Sequence, residues 1–79
     1  MQIVELDIKV PYEGRGKILG RLCERLRGKI RDIHFLPPTL NGISEIKMEI
    51  IEENVPSLLA ELRAIIKNGK VTFKVLSEA

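Results

Sequence analysis

Seventy-nine residues with a net charge of +2 and 30% charged side chains bound one small core and exclude a second, because a chain of this size buries only about 60–65% of the surface its unfolded form exposes. A single cysteine, Cys23, and a single histidine, His34, exclude an intramolecular disulfide and any Cys/His zinc spacing. No window is apolar over a membrane-spanning length.

The expectation is therefore one domain over residues 1–79, of cytoplasmic type, without metal, cofactor or membrane contact. Small cores commonly need a supplement, and self-association into a homodimer or higher homo-oligomer is the one left open. Eleven Ile against one Gln, with the high charge content, lean toward a thermophile composition. Residues 13–31 carry seven cations against Glu13 and Glu24, so this stretch is +5 and the remainder −3. Such asymmetry bears on what approaches the surface rather than on the fold.

The chain opens into an alternating strand without a leader-like basic and apolar stretch. From Gln2 to Val10, Val4, Leu6, Ile8 and Val10 face one way and Glu5, Asp7 and Lys9 the other. Pro11 closes the strand, and Tyr12-Glu13-Gly14-Arg15-Gly16 is a turn by its glycines. Leu19, Leu22, Cys23 and Leu26 then recur at helical spacing, which predicts a helix from about Gly16 to Arg27 with Gly28 as its stop and Cys23 as a small buried hydrophobe.

A second strand, roughly Lys29 to Leu36, ends at Pro37-Pro38, where two amide donors are missing. Asn41-Gly42 turns the chain into a third strand, in which Ile46, Met48 and Ile50 alternate with Glu45, Lys47 and Glu49. Asn54 caps a second helix whose first turn takes Pro56, and Val55, Leu58, Leu59, Leu62, Ile65 and Ile66 make its apolar stripe. After Asn68-Gly69 a last strand sets Val71, Phe73 and Val75 inward, with Thr72 and Lys74 outward.

One polar face per strand and one apolar stripe per helix predict an α+β fold of ferredoxin-like βαββαβ order: a four-stranded antiparallel sheet with two helices on one face.

Chemistry concentrates at the glycine turn, where a strand feeds a helix whose free amides attract anions. Arg15 and Lys17 sit beside the positive end of that helix dipole, where cations oppose it by a few tenths of a kcal/mol unless an anion binds. The candidate ligand site is Tyr12, Glu13, Gly14, Arg15, Gly16 and Lys17, and the ligand class is a small anion or an amino acid; the bland alternative is a tight turn with two solvated cations.

Lys17, Arg21 and Arg25 also form a basic stripe that could meet nucleic acid or an acidic protein. The open sheet face, with Glu5, Asp7, Lys9, Glu45, Lys47, Glu49, Thr72 and Lys74, offers no aromatic platform for single-stranded bases, so a solvated stripe is the plainer reading. Dinucleotide and P-loop fingerprints fail, because Leu19 stands where a glycine is needed and Ile18 where a Ser or Thr is needed.

With the elements and the turn in hand, the phrase Gly16-Lys17-Ile18-Leu19-Gly20-Arg21-Leu22 resembles the ACT domain, a family of small regulatory modules. Lys29-Ile30-Arg31-Asp32-Ile33 looks like that family's second strand, and Leu58 to Val75 like its closing helix, turn and strand. The family's turn usually places Asp or Arg before Pro-Gly, and this chain departs from it.

The resemblance implies a free-standing regulatory domain that dimerises side by side through its second strand, here Ile33, His34, Phe35 and Leu36, with ligands between turn and neighbouring edge. Acylphosphatases share the fold, and Arg15 with Asn41 invites comparison with their catalytic pair. The surrounding sequence does not match theirs. No base, metal cluster or activated nucleophile can be placed, so the expectation is a binding module and not an enzyme.

Overall fold

A computed structural model describes residues 1–78. Its elements follow in the order β1 (Gln2–Pro11), α1 (Arg15–Arg25), β2 (Ile30–Phe35), β3 (Ile43–Glu52), α2 (Val55–Ile65) and β4 (Lys70–Glu78). The strands form one antiparallel sheet in the order β2-β3-β1-β4, so this is the ferredoxin-like α+β plan. Each helix crosses over a strand to return the chain to the sheet on the same face.

Alternation sets the core. Val4, Leu6, Ile8 and Val10 of β1 lie beside Ile46, Met48 and Ile50 of β3, all fully buried, under Leu22 and Leu26 from the first helical unit and Val55, Leu58, Leu59 and Leu62 from the second. The other face of the two central strands stays half-exposed and charged, as the period of two requires. Burying such side chains contributes roughly 1.5–3 kcal/mol each against the conformational entropy of folding.

Helix α2 begins as the sequence predicts: the Asn54 side chain accepts from the Ser57 amide at 3.2 Å and Pro56 sits in the first turn.

Several expectations shift. Helix α1 begins one residue early and ends at Arg25, with Lys29 N–H donating to Leu26 C=O at 2.9 Å and Gly28 in the left-handed region at φ 79°. Cys23 is exposed, not buried. Leu22 and Leu26, four apart, define the buried line of the helix, and Cys23 lies one residue, about 100°, round from Leu22. Phe73 and Val75 take the helix-side face of β4, opposite Leu6 and Val4, yet they remain 46% and 40% exposed. Alternation assigns a face; it does not guarantee that a helix covers it at an edge strand.

Gly69 is required by space rather than by dihedral. A Cβ there would stand 2.1 Å from the Lys9 carbonyl oxygen and 3.0–3.1 Å from Val10 and Ile66 methyl carbons. The start of β4 thus lies directly against the backbone of β1.

Candidate functional site

The glycine turn is built by the end of β1 and the start of α1. Pro11 pairs with Ile43 at the last rung of the ladder, and Tyr12 N–H donates to Gly42 C=O at 2.8 Å, which fixes the exit of the strand. Gly14 then adopts φ 81°, ψ −1° as N-cap, a conformation open to glycine and strained for other residues. Gly14 has no side chain to offer as a cap, and no acidic residue occupies the first turn. The start of α1 therefore keeps its positive partial charge without a side-chain acceptor.

Beside it lies a shallow depression of about 250 Å³ lined by Pro11, Glu13, Gly14, Lys17, Ile18, Arg21 and Asn68. Of the sequence-derived candidates, Glu13, Gly14 and Lys17 line this space together, and Gly16 is exposed in the first turn.

Tyr12 and Arg15 are placed otherwise. Arg15 turns toward the sheet, its Nη1 donating to Ser44 Oγ at 3.1 Å and its guanidinium carbon 4.2 Å from the Tyr12 ring centroid. Ser44 is completely buried. Arg15 is thus half-buried and ties the turn to β3. Tyr12 with Glu13 also edges a second, wider groove of about 500 Å³ toward Pro38, Thr39, Leu40 and Gly42.

Two residues escape the sequence reading. Asn68 reaches the depression only through the tertiary approach of the loop before β4. Ser44 carries a usable signal, since it continues the inward series of Ile46, Met48 and Ile50 as a polar member.

The basic stripe on α1 is shorter than its sequence. Arg25 donates through Nε to Glu61 of α2, and that hydrogen bond, opposed by desolvation and aided by the Arg25 and Lys29 charges, holds the Glu61 carboxyl below its ordinary value. Lys17 and Arg21 remain at the depression, and Asn41 stands exposed in the hairpin turn, where Gly42 N–H donates to Thr39 C=O at 3.0 Å.

On β2, Ile33 packs on the core opposite Met48, whereas His34 and Phe35, and Leu36 just after the strand, are exposed. His34 Nε2 lies 2.8 Å from Asp32 Oδ2.

Two other polar clusters stand apart from the turn. At the far end of the sheet, Glu52 is nearly buried and accepts from Lys29 Nζ at 2.7 Å and from the amides of Glu53 and Asn54 at 3.0 and 3.2 Å. Burial works to raise its pKa, but Lys29 and the two amides outweigh it and hold the carboxyl below its ordinary value. Its acceptors are engaged within the chain, so this is a structural lock. On the open sheet face, Glu45 has a raised pKa because it shares a hydrogen bond with Asp7, with desolvation and the Asp7 charge acting the same way. Among the described residues no group of three or more His, Cys, Asp or Glu could hold a metal ion, and no helix is long and apolar enough to cross a membrane.

Comparison with known proteins gives the fold and little else. No family model and no curated protein matches the sequence. Among solved structures, the uncharacterized protein TM1266 from Thermotoga maritima superposes with a TM-score of 0.75 at 16% identity, covering 96% of this chain and 98% of that one. A formyltetrahydrofolate deformylase from Pseudomonas putida KT2440 gives 0.68 at 15% identity, covering 96% of this chain and 29% of that one. The likeness is one of fold. A de novo designed protein, Foldit4, reaches 0.61 at 20% identity over 98% of this chain and 97% of its own, so the architecture by itself carries no activity.

Proposed function

We propose that this chain is an ACT-like regulatory module that binds a small anion, with a free amino acid as the preferred class, in the depression beside the glycine turn. The observation that carries the reading is the charge arrangement in that one space. An uncapped helix start and the cations Lys17 and Arg21 lie beside the carboxylate of Glu13. A ligand carboxylate is attracted by the first two and an ammonium by the third, which is the pattern a zwitterion complements.

The chain does this without turnover. Arg15, the residue that the comparison with acylphosphatases would set on a phosphoryl group, is engaged by Ser44 and Tyr12. Binding at the turn would act by stabilising one arrangement of the β1–α1 junction, and so by population shift in whatever the module is attached to or associates with.

A thermal-shift screen of amino acids, phosphate and nucleotides tests this. A ligand at 100 times its dissociation constant adds about 2.7 kcal/mol, which for a domain of this size is an upward shift of roughly 10–20 °C. An amino acid that gives such a shift, lost in Lys17→Ala, supports the reading. Flat melting temperatures across all amino acids and anions would remove it.

A further inference from the structure

The sheet has two edges, and the structure treats them differently. Strand β2 is short and blunted. Its pairing with β3 is bulged between Ile30 and Asp32, the Ile33 amide is taken by the Asp32 side chain at 2.9 Å, and Pro37-Pro38 follow without donors. These are devices that keep an edge from recruiting another strand.

Strand β4 has nine residues, and from Lys70 to Val75 it pairs regularly with β1, its bulge deferred to Leu76. Phe73, Val75 and Leu76 are 46%, 40% and 43% exposed along it. Between this strand and the end of α2 lies a depression of about 380 Å³ lined by Arg63, Ile66, Gly69, Lys70, Val71 and Thr72.

We infer that β4 is the self-association edge of this protein, pairing antiparallel with β4 of a second copy about a two-fold axis at Phe73, to give a continuous eight-stranded sheet with all four helices on one side. The occupant is a second copy because the strand complements itself. Centred on Phe73, the register sets Phe73 against the partner's Phe73, Val71 against the partner's Val75, Thr72 against the partner's Lys74, and Lys70 against the partner's Leu76.

The neighbouring face-preserving registers, centred on Thr72 or Lys74, oppose Lys70 to the partner's Lys74 or Lys74 to the partner's Lys74. Like charges directly opposite are unfavourable, and aromatic pairs favourable, in antiparallel strands. The same register brings the partner's Val75 and Leu76 beside Val71 and Lys70, where the depression under α2 lies open to receive apolar side chains, and the two-fold axis repeats the fit on the other copy. This edge differs from the β2 edge that the family resemblance implies.

Two measurements test it. In sedimentation equilibrium the full chain forms a dimer, Phe73→Glu and Val75→Lys each raise the dissociation constant at least tenfold, a loss of about 1.4 kcal/mol or more, and Phe35→Glu on β2 leaves it unchanged. All three side chains are at least 40% exposed, and a retained circular-dichroism spectrum confirms that each variant is folded. In a Cys23→Ser background, Phe73→Cys forms an intermolecular disulfide under mild oxidation, because directly opposed residues lie within disulfide reach, and Val75→Cys, set opposite the partner's Val71, does not. A wild-type chain that stays monomeric into the millimolar range, a dimer broken by Phe35→Glu and not by Phe73→Glu, or crosslinking of Val75→Cys in place of Phe73→Cys would each overturn the assignment.

Discussion

Arg15 donates to the fully buried hydroxyl of Ser44 across the junction of α1 and β3, at 3.1 Å. A cation next to a helix N-terminus is normally a small cost. Here the guanidinium is turned away to a buried acceptor and lies over the Tyr12 ring, so it stabilises the turn instead. Arg15→Ala is expected to destabilise the ligand-free protein by about 1–2 kcal/mol, from the lost charge-assisted hydrogen bond and cation–π contact. Lys17→Ala, by contrast, leaves stability unchanged or slightly raised. Urea denaturation of the two variants checks the contrast, and equal effects would place both side chains in the same role.

Glu52 gives the acid side of the stability profile a definite sign. Its folded pKa is lowered below the ordinary 4.5, so it contributes stability above that pH, lost as pH falls through the lowered folded value. Glu52→Gln should cost about 1–3 kcal/mol at neutral pH, by weakening the bonds from Lys29 Nζ and the Glu53 and Asn54 amides. The difference from wild type should narrow as the pH is taken below about 4.5. Denaturation curves at several pH values decide it, and a gap that widened in acid would contradict the assignment.

Glu45, beside Asp7 on the open sheet face, has the opposite sign. The Glu45 pKa is raised, so the linked contribution is present below the ordinary carboxylate value and is lost as pH rises through the raised one. Asp7 Oδ1 is buried without a donor. Asp7→Asn supplies an N–H toward Glu45 and removes a repulsion, and is expected to raise the melting temperature at neutral pH with an advantage that shrinks toward about pH 4. A lower melting temperature at neutral pH would contradict an unfavourable encounter between these two carboxyls.

Gly69→Ala should be among the most damaging small substitutions in the chain. The added methyl meets a backbone carbonyl of the neighbouring strand at 2.1 Å, where no flexible side chain can yield. Overpacking typically costs about 1–3 kcal/mol and here falls at or beyond the upper end. Gly20→Ala, which meets nothing within 4 Å inside α1, should be neutral or slightly stabilising by helix propensity. Paired thermal melts of the two variants test the distinction.

The fold was legible because each element carries its own period. Val4 to Val10 and Ile46 to Ile50 alternate, and Val55 to Ile66 recur at helical spacing, so faces could be assigned one element at a time. Coverage was not legible: Phe73 keeps the inward parity of Val71 but sits at an edge, and Cys23 adjoins Leu22 in sequence yet lies outside the buried line of α1. Of the site, the turn and its glycine-dependent φ could be read from Gly14, a local requirement. The partner of Arg15 is 29 residues away, and Asn68 arrives from the other end of the chain, so neither contact exists before the sheet forms.

The claim that a small anionic ligand seats beside the glycine turn is tested most directly by a two-dimensional amide NMR titration with amino acids and with inorganic phosphate. The account predicts saturable shifts concentrated on Gly14, Gly16, Lys17, Ile18 and Asn68, weakened in Lys17→Ala, with the Lys29–Glu52 end of the sheet unmoved. Shifts that never saturate, or that spread evenly over the exposed lysines without favouring the turn, would contradict it.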